Sequence, residues 1–255
     1  MLLAVDIGNT NIVIGAFAGE RLVASWRAAT VADRTADEYA VLVQGFLTRR
    51  SMTVDQVQGL CVSSVVPSLV TTFRELAEKH LDAPAVVVNA RGANTLHLRA
   101  DNPGEVGADR IVNALAAAEL HSTPAIVVDF GTATTFDAVS ADRELLGSAI
   151  APGLLTAMEG LVSRAARLFA VELIPPAQAI GTNTVASVQS GAMFGYVGLV
   201  EGLVRRFRNE MSGSPMVIAT GGLAPVIAPL TTVVDRIDLD LTLHGLRLYH
   251  ALNHP

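Results

Sequence analysis

Ala4-Val5-Asp6-Ile7-Gly8-Asn9-Thr10-Asn11 and Val127-Val128-Asp129-Phe130-Gly131-Thr132-Ala133-Thr134 are two versions of one phrase. Each is an apolar run that closes on Asp-x-Gly and passes through small hydroxyl and amide residues. A second apolar run follows, Ile12 to Phe17 in one copy and Thr135 to Val139 in the other. The pattern predicts strand, tight turn, strand. A Gly in such a turn tolerates positive φ, and its missing Cβ lets a phosphate come close to the backbone. The Asp is more informative. A carboxylate closing strands as apolar as Leu2 to Val5 or Ala125 to Val128 is costly to bury unless a cation or hydrogen bonds meet it. Two such Asp residues at equivalent places in a duplicated fold point to a divalent ion and a nucleotide between the halves.

The length of 255 residues suits one large domain or two small ones, and the duplication favours two. Residues 1–117 and 118–255 are the expected halves. Apolar residues make up 51% of the chain, chiefly Ala, Val and Leu, the usual composition of buried strands covered by helices. A formal net charge of −6 with no basic run longer than Arg49-Arg50 or Arg205-Arg206 argues against nucleic acid as a partner. No apolar stretch escapes interruption by Gly, Asp or Glu for long enough to span a bilayer, and no basic leader precedes the first strand. No membrane partner and a cytoplasmic location are therefore expected. Cys61 is the one cysteine, so no internal disulfide forms, and its place in an apolar strand marks it as a small buried hydrophobe. His80, His97, His121, His244, His250 and His254 show no metal-ligand spacing and are expected mostly at the surface.

Around the two turns the periodicity predicts a third antiparallel strand over Glu20 to Ala28, a helix over Asp37 to Arg50, a strand over Leu60 to Val66, a helix over Ser68 to His80 and a strand over Ala85 to Val88. A helix from about Asp109 to Leu120 joins the halves. The second half repeats the order, with strands over Ala125 to Asp129, Thr135 to Val139 and Glu144 to Ile150 and a helix over Leu154 to Phe169. The fold class is α/β, two duplicated domains of mixed sheet in βββαβαβα order. Thr184 to Glu210 reads as one long helix carrying Gly191, Gly195, Gly198 and Gly202. Each interior Gly costs about 1 kcal/mol relative to Ala. The four share one face, which suits close approach of another helix within the chain or across a two-fold axis.

The motifs Asp6 to Thr10, Asp101 to Arg110 (Asp-Asn-Pro-Gly-Glu-Val-Gly-Ala-Asp-Arg), Asp129 to Thr132, Ala151-Pro152-Gly153, Ile180 to Thr184 with Gln189-Ser190-Gly191, and Thr220-Gly221-Gly222 occur in this order along nearly the whole chain. Together they resemble the type III pantothenate kinases, within the superfamily of acetate and sugar kinases, heat-shock chaperone ATPases and actin. The resemblance implies two ribonuclease H-like domains with ATP in the cleft between them, pantothenate as substrate, a homodimer, and dependence on Mg²⁺ and on a monovalent cation, K⁺ or NH₄⁺. It also implies ATP binding by Asp6, Ile7, Gly8, Asn9, Thr10, Asn11, Ile12 and Val13, and by Thr132, Gly221 and Gly222.

The first turn contains no Walker lysine, so neutralising phosphate charge falls to a metal, with Asp6 as the carboxylate that orients it or its waters. Asp109 sits where a helix begins, and its default reading there is a cap. The resemblance instead makes it the general base that takes the proton from the hydroxyl of pantothenate, with Gly107, Ala108 and Arg110 lining the substrate and Thr184 reaching it from the partner subunit. Arg110 alternatively stabilises Glu105. For Asp129 the resemblance implies the monovalent cation, while the residues alone leave a second Mg²⁺ ligand open. Ala100 departs from the family, which frequently has Tyr at that position lining the substrate pocket. An acceptor other than pantothenate, and a nucleotide sensor without turnover, are the competing readings.

Overall fold

A computed structural model describes residues 1–92 and 95–253; His254 lies outside them. Leu2–Ile7 (β1) and Asn11–Ala18 (β2) pair antiparallel across the first Asp-x-Gly turn, with Asp6 opposite Val13 and Ile7 opposite Ile12. Arg21–Ala29 (β3) completes the meander. Ala36–Thr48 (α1) starts at a capping box in which the Glu38 N–H donates to Thr35 Oγ1 at 3.3 Å and the Thr35 N–H donates to Glu38 Oε2 at 2.9 Å. Gly59–Ser64 (β4) then lies parallel to β1. Pro67–Leu76 (α2) begins on a proline, whose fixed φ suits a first helical position, and widens into a π turn over Ala77–Leu81. Ala85–Val87 (β5) and the short His97–Leu98 (β6) lead to Ala108–Leu120 (α3).

The second copy follows the same plan. Ala125–Phe130 (β7), Ala133–Val139 (β8) and Glu144–Pro152 (β9) form the antiparallel meander. Two helices follow, Leu154–Arg164 (α4) and the long Thr184–Glu210 (α5). Met216–Thr220 (β10) is parallel to β7, Ala224–Ile227 (α6) is a single turn, Arg236–Ile237 (β11) is parallel to β10, and Leu241–Asn253 (α7) ends the described chain. The first sheet runs β3-β2-β1-β4-β5 and the second unit runs β11-β10-β7-β8-β9, the same arrangement in mirror listing. Both meanders carry a bulge at the equivalent place, after Ala16 and after Ala138. Duplicated ribonuclease H-like units are therefore what the chain forms.

In the first unit Leu3, Val5, Ile7, Leu60 and Val62 project from one face of the sheet onto Tyr39 and Val43 of α1 and Leu69 and Phe73 of α2. In the second, Ile126, Val128, Phe130 and Phe136 meet Met193, Tyr196, Val200 and Val204 of α5. At about 25 cal/mol per Å² removed from water, these two layers are the main favourable term for each unit.

Three expectations need correction. The units divide at Leu120/His121, and Asp240–Pro255 belongs with the first unit, so the halves 1–117 and 118–255 do not describe the packing. The cause is α7, whose Leu241, Leu243, Leu246 and Tyr249 are buried. A Cβ at Gly245 would stand 2.1 Å from the Val112 carbonyl oxygen of α3, Thr242 donates to Asn113 at 2.7 Å, and the Tyr249 hydroxyl donates to the Asn89 carbonyl at 2.9 Å. Helix α4 stops at Arg164 rather than Phe169, because Ala165 turns extended and the following segment is tied to α5 by a 2.9 Å bond from Gln189 Nε2 to the Glu172 carbonyl. Among the described histidines only His80 and His97 are exposed. His121 pairs with Asp238 at 2.9 Å, His244 edges onto Phe17, and His250 lies against Gly59.

Candidate active site

The first turn is built by backbone. The Gly8 N–H donates to the Asn11 carbonyl at 3.0 Å, the Thr30 hydroxyl to the Gly8 carbonyl at 2.7 Å, and the Thr30 N–H to the Thr10 carbonyl at 3.0 Å. Gly8 does not take a positive φ. The fit there is tight, since a Cβ would stand 3.1 Å from the Asn11 oxygen. Asn9, Thr10 and Asn11 are exposed at the tip, whereas Ile7 and Ile12 are buried beneath it and Val13 is half-buried. Tip amides and hydroxyls held over a packed base are a surface that a phosphate chain can approach.

Asp6 is half-buried and in register with Ser63 of β4. Strand alternation sends Val5, Ile7 and Val62 into the core, so Asp6 and Ser63 both face the other way. Ser63 is 0% exposed and its hydroxyl meets no hydrogen-bond partner among the described residues. A buried hydroxyl left so costs about 1–3 kcal/mol. Its neighbour Ser64 spends its own hydroxyl locally, donating to the Val66 carbonyl at 2.9 Å. Cys61, on the same face as Ser63, is fully buried and burial pushes its thiol up, as expected of an inert small hydrophobe. Among the described residues no three His, Cys, Asp or Glu side chains gather into a metal cluster. Mg²⁺ does not require one, since it is usually held by one or two carboxylates plus phosphates and water. A carboxylate beside an unmatched hydroxyl, next to an open phosphate turn, fits such an ion.

Also in the first unit, Gly107 accepts from the N–H groups of Arg110 and Ile111, both at 3.1 Å, and so occupies the capping position itself. Asp109 is the second residue of α3, within its first turn and half-buried, with Oδ1 accepting from the Arg110 N–H at 2.8 Å. A Cβ at Gly107 would come within 2.6 Å of that oxygen. Before it, Asn102 Nδ2 donates to Glu105 Oε1 at 2.8 Å, so Glu105 is engaged by Asn102.

The second turn is more heavily braced. The Gly131 N–H donates to the Ala133 carbonyl at 3.0 Å, while the Thr132 carbonyl accepts from the Gly153 N–H at 3.0 Å and the Thr156 hydroxyl at 2.8 Å. A Cβ at Gly153 would stand 2.3 Å from the Gly131 oxygen, which gives the Ala151-Pro152-Gly153 motif its function as a brace. Asp129 lies beside Thr220, and the turn after β10 closes onto it: Gly221 has φ +87°, and a Cβ there would meet Asp129 Oδ1 at 2.4 Å and Phe130 N at 2.6 Å. Asp129, Thr132 and Gly221 are thus brought together within the second unit, with exposed Gly222 following. Gly221→Ala is expected to lose about 1–3 kcal/mol to the left-handed backbone alone, with the clash adding to it. Denaturant unfolding checks this, and wild-type stability in the variant would mean that the turn shifts freely.

Thr184 is the first residue of α5, behind an Asn183 cap that accepts from the Ala186 N–H at 2.9 Å. It lines a groove of about 720 Å³ between α4 and α5, with Leu154, Leu161, Gly191, Gly195 and Tyr196. The Tyr196 hydroxyl bonds Thr134. Burial pushes its phenol up, its bonds to Thr134 and Leu154 oppose the shift, and the Asp129 charge adds to it. At Gly191, Gly195, Gly198 and Gly202 a Cβ would meet nothing within 4 Å, so among the described residues no helix packs on the stripe. The brace at Gly153 and the buried Ser63 are the features that sequence reasoning missed; motif position signalled the first, and nothing local signalled the second.

A family model described as type III pantothenate kinase matches residues 2–206. A protein named type III pantothenate kinase from Thermomicrobium roseum is 49% identical over 254 residues, covering 100% of this chain and 98% of its own. One of the same name from Moorella thermoacetica is 48% identical, covering 99% and 100%. Among solved structures, the ethanolamine utilization protein EutJ from Carboxydothermus hydrogenoformans aligns with a TM-score of 0.55 at 13% identity, covering 97% of this chain and 89% of that one, a likeness of fold. With a match spanning most of its length and relatives this similar from end to end, the chain belongs to the type III pantothenate kinase family.

Proposed function

We infer that the protein transfers the γ-phosphoryl group of ATP to pantothenate, giving 4'-phosphopantothenate in the first step of coenzyme A biosynthesis. The observation that carries this reading is the family match over residues 2–206, joined to relatives 49% and 48% identical along the whole chain. Family membership brings ATP and a divalent metal with it. In our assignment Asp6 to Val13 receive the phosphates through backbone N–H groups and the tip side chains, with Asp6 as the metal's carboxylate. A bound Mg²⁺ supplies charge neutralisation that no lysine in this turn provides. Thr132, Gly221 and Gly222 form the second nucleotide contact, on bare backbone. Asp109 orients the primary hydroxyl of pantothenate and accepts its proton as that oxygen attacks the γ-phosphorus and ADP leaves. Gly107, Ala108 and Arg110 line the substrate.

Asp129 holds K⁺ or NH₄⁺ in this reading, supported by its place at the end of a buried strand and against the Gly221 backbone. The enzyme works in the cytoplasm as a homodimer. The glycine stripe supports self-pairing, because it is open in the single chain and exposed apolar residues Leu155, Leu161 and Phe194 lie on the same two helices. Thr184 shares the groove and would contact pantothenate of the partner subunit.

A coupled ADP-release assay with ATP and Mg²⁺, comparing pantothenate, a panel of sugars and no acceptor, tests the function. Release only with pantothenate is expected, and release without any acceptor would replace this reading by a hydrolase. The same assay in K⁺, NH₄⁺ or Na⁺ is expected to show activity in the first two only. Full activity in Na⁺ would remove the cation from Asp129.

A further inference from the structure

We propose that Ser63 is a positioning residue for the divalent ion, its hydroxyl left without a protein partner so that the ion's water shell can bond to it. Ser63 is completely buried and its Oγ has no partner, while the serine next to it is fully engaged with Val66. What distinguishes the position is its register: Ser63 stands beside Asp6 on the adjacent parallel strand, on the same face of the sheet. Adjacent strands lie about 4.8 Å apart, within reach of a carboxylate and a hydroxyl that share one layer of water. Waters on Mg²⁺ are strong donors and several are retained on binding. A serine oxygen offers acceptor lone pairs to one of them and a proton to a neighbouring oxygen. Groups of this kind behind a metal's own ligands fix ligand orientation, and their loss typically weakens metal binding about 10–100-fold.

The inference rests on Asp6 as the metal carboxylate, and the experiment separates the two. Wild type, Ser63→Ala, Ser63→Cys and Asp6→Asn are melted without ligand and then with ADP across a Mg²⁺ titration, and Mn²⁺ binding is followed by electron paramagnetic resonance. Ligand-free Ser63→Ala is expected to melt at the wild-type temperature or about 2–4 °C above it, since a buried unmatched hydroxyl has been removed. Its half-saturating Mg²⁺ and Mn²⁺ concentrations should rise about 10-fold or more, with Ser63→Cys, a weaker hydrogen-bonding group, in between. Unchanged metal titrations in Ser63→Ala would overturn the proposal, as would a ligand-free melting point clearly below wild type, which would mark the hydroxyl as structurally bonded. If Asp6→Asn keeps wild-type metal binding, the Asp6 assignment itself falls; if it loses metal binding while Ser63→Ala does not, only Ser63 is withdrawn.

Discussion

Asp109→Asn is expected to lower turnover of pantothenate by roughly 10²-fold or more, the range of a positioned base, with little change in ATP affinity or melting temperature. The geometry makes the substitution clean. Gly107 already caps α3, and the contribution of Asp109 to the helix is one 2.8 Å bond accepted from the Arg110 N–H. An asparagine oxygen accepts the same bond. What is lost is the carboxylate charge near the helix start, worth about 0.3–1 kcal/mol, and the capacity to take a proton. Steady-state kinetics beside calorimetric melting and ATP titration decide it. A variant that melts early yet retains its specific activity would make Asp109 a helix-start residue and nothing more.

The other large effect is expected from Gly195→Leu, which should weaken self-association and pantothenate binding together. Within one chain a Cβ at this position meets nothing within 4 Å, and Leu improves the intrinsic helix propensity of α5 by up to about 1 kcal/mol. Across a close helix contact the same side chain forces the backbones apart, and overpacking typically costs about 1–3 kcal/mol. Thr184 lines the same groove, so a subunit contact to the substrate should go with the interface while the phosphate turn at Gly8 stays intact. Sedimentation of the variant and separate titrations with pantothenate and nucleotide measure both. A monomer with undiminished pantothenate affinity would separate site from interface, and an active dimer would mean that the stripe faces something other than a second copy.

The two Asp-x-Gly hairpins and α5 were legible because their signals are local: an apolar run broken by a turn residue, and one long helical stretch over Thr184–Glu210. Helix α7 was not. Its sequence, Leu241-Thr242-Leu243-His244-Gly245-Leu246-Arg247-Leu248-Tyr249, alternates apolar and polar residues at period two almost as well as it follows a helix, and Gly245 weakens the helical reading. Only the contact with Val112 explains that glycine. For the site, a motif shows which residues are special and not what they touch. The resemblance pointed to Gly221 as an ATP contact, but its approach to Asp129 spans two strands that are neighbours only in the folded sheet. Ser63 was invisible for the same reason, being an ordinary serine in an apolar strand until register places it beside Asp6.

The return of α7 to the first unit has a consequence for how the chain is made. Leu241, Leu246 and Tyr249 are buried within the first unit, where α7 covers α3 and the first sheet. During synthesis the first repeat therefore emerges with an open apolar flank, and stays open until the whole second repeat has been translated and α7 has arrived. Order of synthesis and order of completion are reversed: the unit begun first is finished last, and a nascent chain holds its earliest surface exposed for the longest time.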